Sequence, residues 1–274
     1  MPLLLPKQRG IRHEMNYTGR PDLSAWGTLL TSDSVAHTEP ATETELIAST
    51  AFDTDWVIVR FCDNHTNATI SDSLVNIKVG AAGSEVTIIE NLFAGWTSGT
   101  NARTQYEFPI RIPAGSRISA THRSVRTSTT VACMIDLFGG GDGLHWVGTG
   151  VESVGEATAS SGGTSVTPGT TSEGTLTSMG TNTYDWGFVV PWASCNPDTT
   201  LIADILSFDL ASGSTTGDLI PGLEDFFTTS NASEFYVDSP LGRYCHIPAG
   251  ITLYLRSQFG GAAEAKHWII YGVY

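Results

Sequence analysis

Two carboxylates, Asp53 and Asp55, stand directly before a strand-like run that begins at Trp56. Such a pair could contribute to a calcium site or supply an acid for cleavage of a glycosidic bond. Calcium takes six to eight oxygen ligands, and a glycosidase needs a second carboxyl group across the scissile bond. The two aspartates alone meet neither requirement. The pattern therefore favours a solvated turn ahead of the strand.

Other residues that could bind a metal ion or carry out catalysis are scattered. Cys62 and His65 offer one thiolate and one imidazole, but a structural zinc site needs four ligands and no second pair lies nearby. The seven histidines occur in no nucleophile-elbow or zinc-protease motif, and the glycine run 139–143 lacks the Lys-Ser/Thr of a phosphate-binding loop. We therefore predict no catalytic residue, no metal, no cofactor and no enzymatic activity.

Two of the seven tryptophans, Trp96 and Trp192, lie near predicted turns. An exposed indole ring can stack on the face of a sugar, and β-sandwich proteins are common carriers of such sites. The favoured interpretation is that both rings pack in a core or a subunit interface. Glycan stacking at Trp96 and Trp192 is therefore an alternative to be tested by their burial.

The elements that position these residues are predicted to be β-strands. Only 15% of the residues are charged, and short runs of Val and Ile recur among abundant Thr, Ser and Gly. Val75, Ile77 and Val79 alternate with polar residues, as in a strand with one buried face. The net charge of −14 opposes binding to a phosphate backbone, and no apolar run reaches the ~20 residues of a membrane span. Neither nucleic acid nor membrane is therefore a predicted partner.

The chain contains an internal duplication, because Ile112-Pro113-Ala114-Gly115 returns as Ile247-Pro248-Ala249-Gly250. In each copy the proline presets the first turn position, and the glycine supplies the left-handed conformation that ends a type I turn with a bulge. In the comparison that extends outward from these turns, Trp186 aligns with Trp56. The fold predicted is all-β, with two tandem β-sandwiches of jelly-roll topology; an immunoglobulin-like topology is the second choice.

Three predicted segments divide the chain: an extended N-terminal arm over 1–25, a first module over 26–145, and a linker plus second module over 146–274. The arm has no counterpart in the second module, and its prolines and glycines interrupt any regular element. A segment without a core of its own becomes ordered by lying on another surface, so we expect it to dock on a neighbouring subunit. The residues expected to make this contact are an apolar plug and four basic side chains: Leu3, Leu4, Leu5, Lys7, Arg9, Arg12 and Arg20.

Cysteine placement indicates free thiols in both modules. The four cysteines do not occupy equivalent places in the two modules, as a duplicated disulfide framework would require, and are predicted to be reduced. They are Cys62, Cys133, Cys195 and Cys245.

Several motifs resemble a β-sandwich module found in virion proteins of tailed bacteriophages. They are Leu-Ile-Ala-Ser-Thr-x-Phe-Asp at 46–53, Val-Gly-Ala-Ala-Gly-Ser-Glu at 79–85 and Ile-Pro-Ala-Gly-Ser-Arg-Ile at 112–118. The resemblance covers nearly everything after residue 26, is stronger in the first module, and implies an assembly role without catalytic residues.

On this basis we expect a homo-oligomeric bacteriophage virion protein, assembled in the host cytoplasm and bound to other virion proteins through its arm. It would decorate or stabilise the capsid, or serve as a tail or neck accessory. The first alternative is a receptor- or glycan-binding tail protein. The second is a β-sandwich hydrolase, which would need carboxylates clustered in a cleft.

Overall fold

The computed structural model describes residues 11–17, 27–63, 73–94, 103–140, 146–155, 163–194, 204–213, 218–229, 242–259 and 265–274. In these ranges the regular elements are eighteen β-strands. They contain no helix, and therefore none that is long and apolar enough to cross a membrane. The all-β class predicted from composition is confirmed.

Nine strands come from the first repeat: β1 (Arg12–Met15), β2 (Thr28–Thr31), β3 (Thr44–Ile47), β4 (Trp56–Asp63), β5 (Ser73–Val79), β6 (Val86–Phe93), β7 (Arg103–Phe108), β8 (Ile118–Ser124) and β9 (Thr130–Gly139). Nine come from the second: β10 (Val151–Val154), β11 (Thr164–Val166), β12 (Thr177–Thr181), β13 (Trp186–Ser194), β14 (Asp204–Ser212), β15 (Asp218–Thr229), β16 (Arg243–Ile247), β17 (Thr252–Phe259) and β18 (Lys266–Val273).

Each repeat is one long antiparallel hairpin rolled into two sheets. In the first repeat β2 pairs with β9, β3 with β8, β4 with β7 and β5 with β6. In the second repeat β11 pairs with β18, β12 with β17, β13 with β16 and β14 with β15. This nested pairing is a jelly roll, which confirms the preferred topology and differs from the strand arrangement of an immunoglobulin domain.

The repeated turns have glycine in the predicted left-handed conformation, and hydrogen bonds to residues outside each turn stabilise them. Gly115 and Gly250 have φ of 80° and 77°, in the left-handed region that favours glycine. In the first repeat the N–H of Gly115 donates to the carbonyl oxygen of Thr50 over 2.8 Å. The N–H of Ala114 donates to the carboxylate of Asp53 over 2.9 Å. Asp53 therefore orders the turn, which is a structural use for a side chain considered above for calcium or sugar chemistry.

The second repeat builds the same clamp from partly different residues. There the carbonyl oxygen of Asn182 accepts from the glycine of the turn over 2.9 Å, and the carboxylate of Asp185 accepts from the alanine over 2.7 Å. Asn182 therefore corresponds to Thr50, and Asp185 to Asp53. The sequence comparison had matched Asp185 with Asp55, and that alignment was wrong by two positions.

The same two-position correction of the alignment changes which residue of the second repeat corresponds to Trp56. In the structure Trp56 lies opposite Phe138 of β9. Counted from the common turn, the counterpart of Phe138 in β18 lies opposite Phe188. Phe188 is therefore the counterpart of Trp56, and the alignment of Trp56 with Trp186 was wrong. Both tryptophans open a strand, and their identity concealed a short difference in loop length.

The two repeats share one sheet and one core. β10 pairs in parallel with β6, Val151 opposite Ile89, so strands of both repeats form a nine-stranded sheet. One face of β13 and β18 packs into the first repeat, where the ring of Tyr106 lies 5.0 Å from Trp192 and 5.3 Å from Tyr271 between centroids. The other face packs on the four-stranded sheet of β12, β17, β14 and β15. The two repeats are thus joined by a shared sheet and a shared hydrophobic core as well as by the linking chain.

Candidate interaction surface of the N-terminal arm

Of the seven arm residues predicted to contact a partner, the described part of the chain contains Arg12. Its exposed side chain opens β1, which pairs with β9 of the same chain, Arg12 opposite Gly139 and Met15 opposite Asp136. This intrachain pairing was not part of the predicted docking on a neighbour. The other six residues lie outside the described ranges: Leu3, Leu4, Leu5, Lys7, Arg9 and Arg20.

The arm strand has a counterpart in the second repeat. β1 lies beside β9 as β10 lies beside β18, and this register matches Glu14 with Glu152. The carboxylate of Glu14 accepts from the N–H of Ala51 over 2.8 Å, and that of Glu152 from the N–H of Thr183 over 2.5 Å. Both donors directly follow the residue that clamps the repeated turn. The duplication therefore reaches into the segment that the sequence comparison left unduplicated.

Asp136 anchors the arm on the outer face of the five-stranded sheet formed by β1, β2, β9, β4 and β7. Its side chain is 3% exposed. Nε2 of His13 lies 2.8 Å from Oδ1, the hydroxyl of Tyr17 donates to the same oxygen over 2.9 Å, and the guanidinium of Arg60 pairs with Oδ2. The His13 ring also stacks on Phe138 with centroids 4.5 Å apart. A buried carboxylate needs such partners, so arm and anchor stabilise each other.

Asn16 bridges the break between β1 and β2, which lie end to end along β9. Its Oδ1 accepts from the N–H of Ile135 over 2.9 Å. Its Nδ2 donates to the carbonyl oxygen of Cys133 over 3.0 Å and to the hydroxyl of Thr28 over 3.1 Å. The side-chain amide thereby replaces a peptide group of the interrupted strand. The sequence pattern offered no signal for this function, because one asparagine in a turn-rich segment is common.

The outer face of β4 and β9, which binds the arm, has polar residues at positions where the equivalent face of β13 and β18 in the second repeat has buried aromatic residues. Counted from the common turn, Arg60 and Asp136 correspond to Trp192 and Tyr271. Trp192 and Tyr271 are buried against the first repeat, at 1% and 0% exposure. Arg60 and Asp136 instead form the arm's anchor. At the position where the second repeat packs on the first, the first repeat therefore binds its own arm through His13 and Tyr17.

Trp192 is not available for glycan stacking. It is 1% exposed, and it lies within β13 and not in a turn. Glycan stacking at Trp192 is therefore wrong, and the alternative function now depends on Trp96, which lies outside the described residues.

The cysteines whose side chains are described carry free thiols, as predicted. Cys133 is buried and Cys245 is half-buried, and neither is in a disulfide. Burial raises the pKa of the Cys133 thiol far above its ordinary value, which keeps it protonated and unreactive. His65 and the side chain of Cys62 lie outside the described part of the chain. Within that part, no group of three His, Cys, Asp or Glu residues could hold a metal ion.

Two carboxylates approach each other where the repeats meet, Glu90 on β6 and Glu152 on β10. Burial, and next the charge of Glu152, raise the pKa of Glu90. Besides its contact with Thr183, Glu152 accepts from the N–H of Tyr184 over 3.1 Å and from the indole N–H of Trp186 over 3.2 Å. These donors make Glu152 a structural anchor for the turn that precedes β13.

Replacing Glu90 by glutamine is expected to raise stability at pH 7 and to change it little at pH 4. When folding raises the pKa of a carboxyl group, the stability of the fold is full below the unfolded pKa and falls as the pH rises through the folded pKa. The gain at pH 7 should be at most about 1 kcal/mol, because the half-buried carboxyl is partly screened by solvent. Thermal unfolding of both proteins at the two pH values measures this effect. A loss of stability at pH 7 would contradict it.

Comparisons with known proteins show remote likenesses. No family model matches the chain, and no curated protein is similar to it in sequence. Similar solved structures include the STIV MCP, with a TM-score of 0.38 and 10% identity over 96% of each chain. The Sulfolobus Turreted Icosahedral Virus structure has a TM-score of 0.36 and 9% identity over 96% of this chain and 90% of that one. The CBM22-1-CBM22-2 tandem domain from Paenibacillus barcinonensis Xyn10C has a TM-score of 0.30 and 13% identity over 97% and 92%.

Proposed function

We propose that this protein is a structural component of a bacteriophage particle that acts through protein–protein contacts and catalyses no reaction. It would stabilise or decorate the capsid, or serve as a tail or neck accessory, after assembly in the host cytoplasm. Support comes from the motifs that resemble virion modules and from the jelly-roll pairing in both repeats. Its partners would be other virion proteins and further copies of itself.

The observation that carries this proposal is the anchored arm on the outer face of the first repeat. Asp136 fixes β1 there, and the preceding residue, Ile11, is 76% exposed. β1 therefore begins next to an exposed apolar residue at a sheet edge. Because the whole chain has a net charge of −14, basic residues in the arm of one subunit would be attracted to the acidic surface of another.

Deletion of residues 2–10 tests the proposal while leaving β1 intact. We expect the shortened protein to fold with an unchanged thermal midpoint and to be absent from purified particles. Replacing Leu3, Leu4 and Leu5 by serine, and separately Lys7, Arg9 and Arg20 by glutamine, divides the apolar from the electrostatic contribution. Normal incorporation of the deletion variant into particles would contradict the function proposed for the arm.

A further inference from the structure

The contact that joins the two repeats is made by two strand edges. β6 is the outer strand of the first repeat's sheet, β10 is the outer strand of the second repeat's sheet, and they pair in parallel with Val151 opposite Ile89. Side chains reinforce the pairing, since Nδ2 of Asn91 donates to the hydroxyl of Ser153 over 2.8 Å. The hydroxyl of Tyr271 donates to the carbonyl oxygen of Asn91 over 2.9 Å.

The same two kinds of edge occur once more, one in the five-stranded sheet and one in the four-stranded sheet. β15 is the counterpart of β6, because each pairs with the fifth strand of its repeat, and it is the last strand of the four-stranded sheet. β1 is the counterpart of β10 and ends the five-stranded sheet. In the described part of the chain neither strand has a partner on its outer side. An open strand edge is a template for pairing with another chain.

Both open edges carry exposed apolar side chains. On β1 and beside it, Met15 is 39% exposed and Ile11 is 76% exposed. On β15, Leu219 is 38% exposed. β1 also carries the exposed charge of Arg12, and β15 contains Pro221, so each edge combines features that usually protect an open strand with exposed apolar side chains that a partner could cover.

The face next to β1 is also incomplete. Ile58 and Phe138 are half-buried on the outer side of the five-stranded sheet. Their counterparts in the second repeat, Val190 and Val273, are buried against the first repeat at 1% and 0% exposure. A second chain placed against β1 as the first repeat is placed against β10 would cover this face in the same way.

We propose that β1 of one chain pairs in parallel with β15 of a second copy of the chain, which reproduces between molecules the β10–β6 junction within one molecule. In this contact His13 occupies the position of Val151, because His13 lies opposite Phe138 and Val151 lies opposite Val273, the counterpart of Phe138. The contact joins different surfaces of two identical chains. Successive copies therefore add head to tail and produce a closed ring or an open filament, depending on the rotation between them.

Sedimentation of the full chain over a range of concentrations tests this contact independently of any virus particle. We expect concentration-dependent association that Met15→Lys and Leu219→Lys each weaken by at least about tenfold in dissociation constant, since a lysine opposes edge pairing. Ile11→Lys is a second variant at the β1 edge should Met15→Lys fail to fold. Val35→Lys is the matched control, because Val35 is 59% exposed in the loop after β2, on neither edge.

Mixing the two edge variants distinguishes this head-to-tail contact from a two-fold symmetric dimer. Met15→Lys keeps an intact β15 edge and Leu219→Lys keeps an intact β1 edge, so the mixture should form a one-to-one complex and nothing larger. A native chain that stays monomeric throughout, edge variants that associate like the native chain, or a mixture without the complex would overturn the proposal.

Discussion

Replacement of Glu152 by alanine is expected to destabilise the protein by about 3–4 kcal/mol, because it leaves a buried indole N–H and two partly buried backbone N–H groups without their acceptor. Glu152 is 6% exposed, and its carboxylate accepts from the N–H groups of Thr183 and Tyr184 and from the indole of Trp186. In a protein of this size such a loss should lower the thermal midpoint by roughly 6–16 °C. Circular dichroism during heating and in denaturant measures both quantities.

The matched control is Glu14→Ala, at the equivalent position of the first repeat. Glu14 makes the corresponding contact with Ala51, but that contact is exposed. Its loss should cost at most about 1 kcal/mol. Equal losses of unfolding free energy for the two substitutions would show that the burial of Glu152 at the junction does not contribute to stability.

Replacement of Trp192 by alanine should cost about 3–5 kcal/mol, through the cavity left by a fully buried indole. The side chain belongs to the second repeat, yet it packs on Tyr106 of β7 in the first repeat. The damage should therefore cross the boundary between the repeats. Hydrogen exchange read by mass spectrometry should show faster exchange in 103–108 as well as in β13 and β18.

Leu255→Ala is the control for this prediction. Leu255 is also 0% exposed, but it packs in the core between the nine-stranded and the four-stranded sheet. It should accelerate exchange around β14 and β17 and leave β7 protected. If Trp192→Ala left exchange in β7 unchanged, the shared core would not couple the two repeats.

The duplicated fold could be predicted from the sequence because the repeated turn motifs are recognisable. The repeated Ile-Pro-Ala-Gly stretches need one glycine conformation, and that requirement kept the residues recognisable in both repeats. The clamp around each turn was harder to see. Thr50 and Asn182 hold the turn through the same carbonyl group although their side chains differ, so residue identity gave no signal.

The arm's anchor could not be predicted for a related reason. Asp136 lies in an otherwise apolar strand, and its partners His13, Tyr17 and Arg60 are distant in sequence. Period-two alternation shows which face a residue occupies and not what covers that face. For Trp192 the favoured interpretation, packing in a core, is confirmed, and the nearby turn signal carried no information on its exposure.

The central claim is that this protein is a structural subunit of a virus particle, joined to its neighbours by its arm and its open strand edges. The most direct test is an electron cryomicroscopy map of particles purified from the host in which the protein is made. The account predicts a regularly repeated pair of jelly rolls, with β1 of one chain beside β15 of the next and residues 1–10 against another subunit. Particles that lack the protein altogether would contradict it.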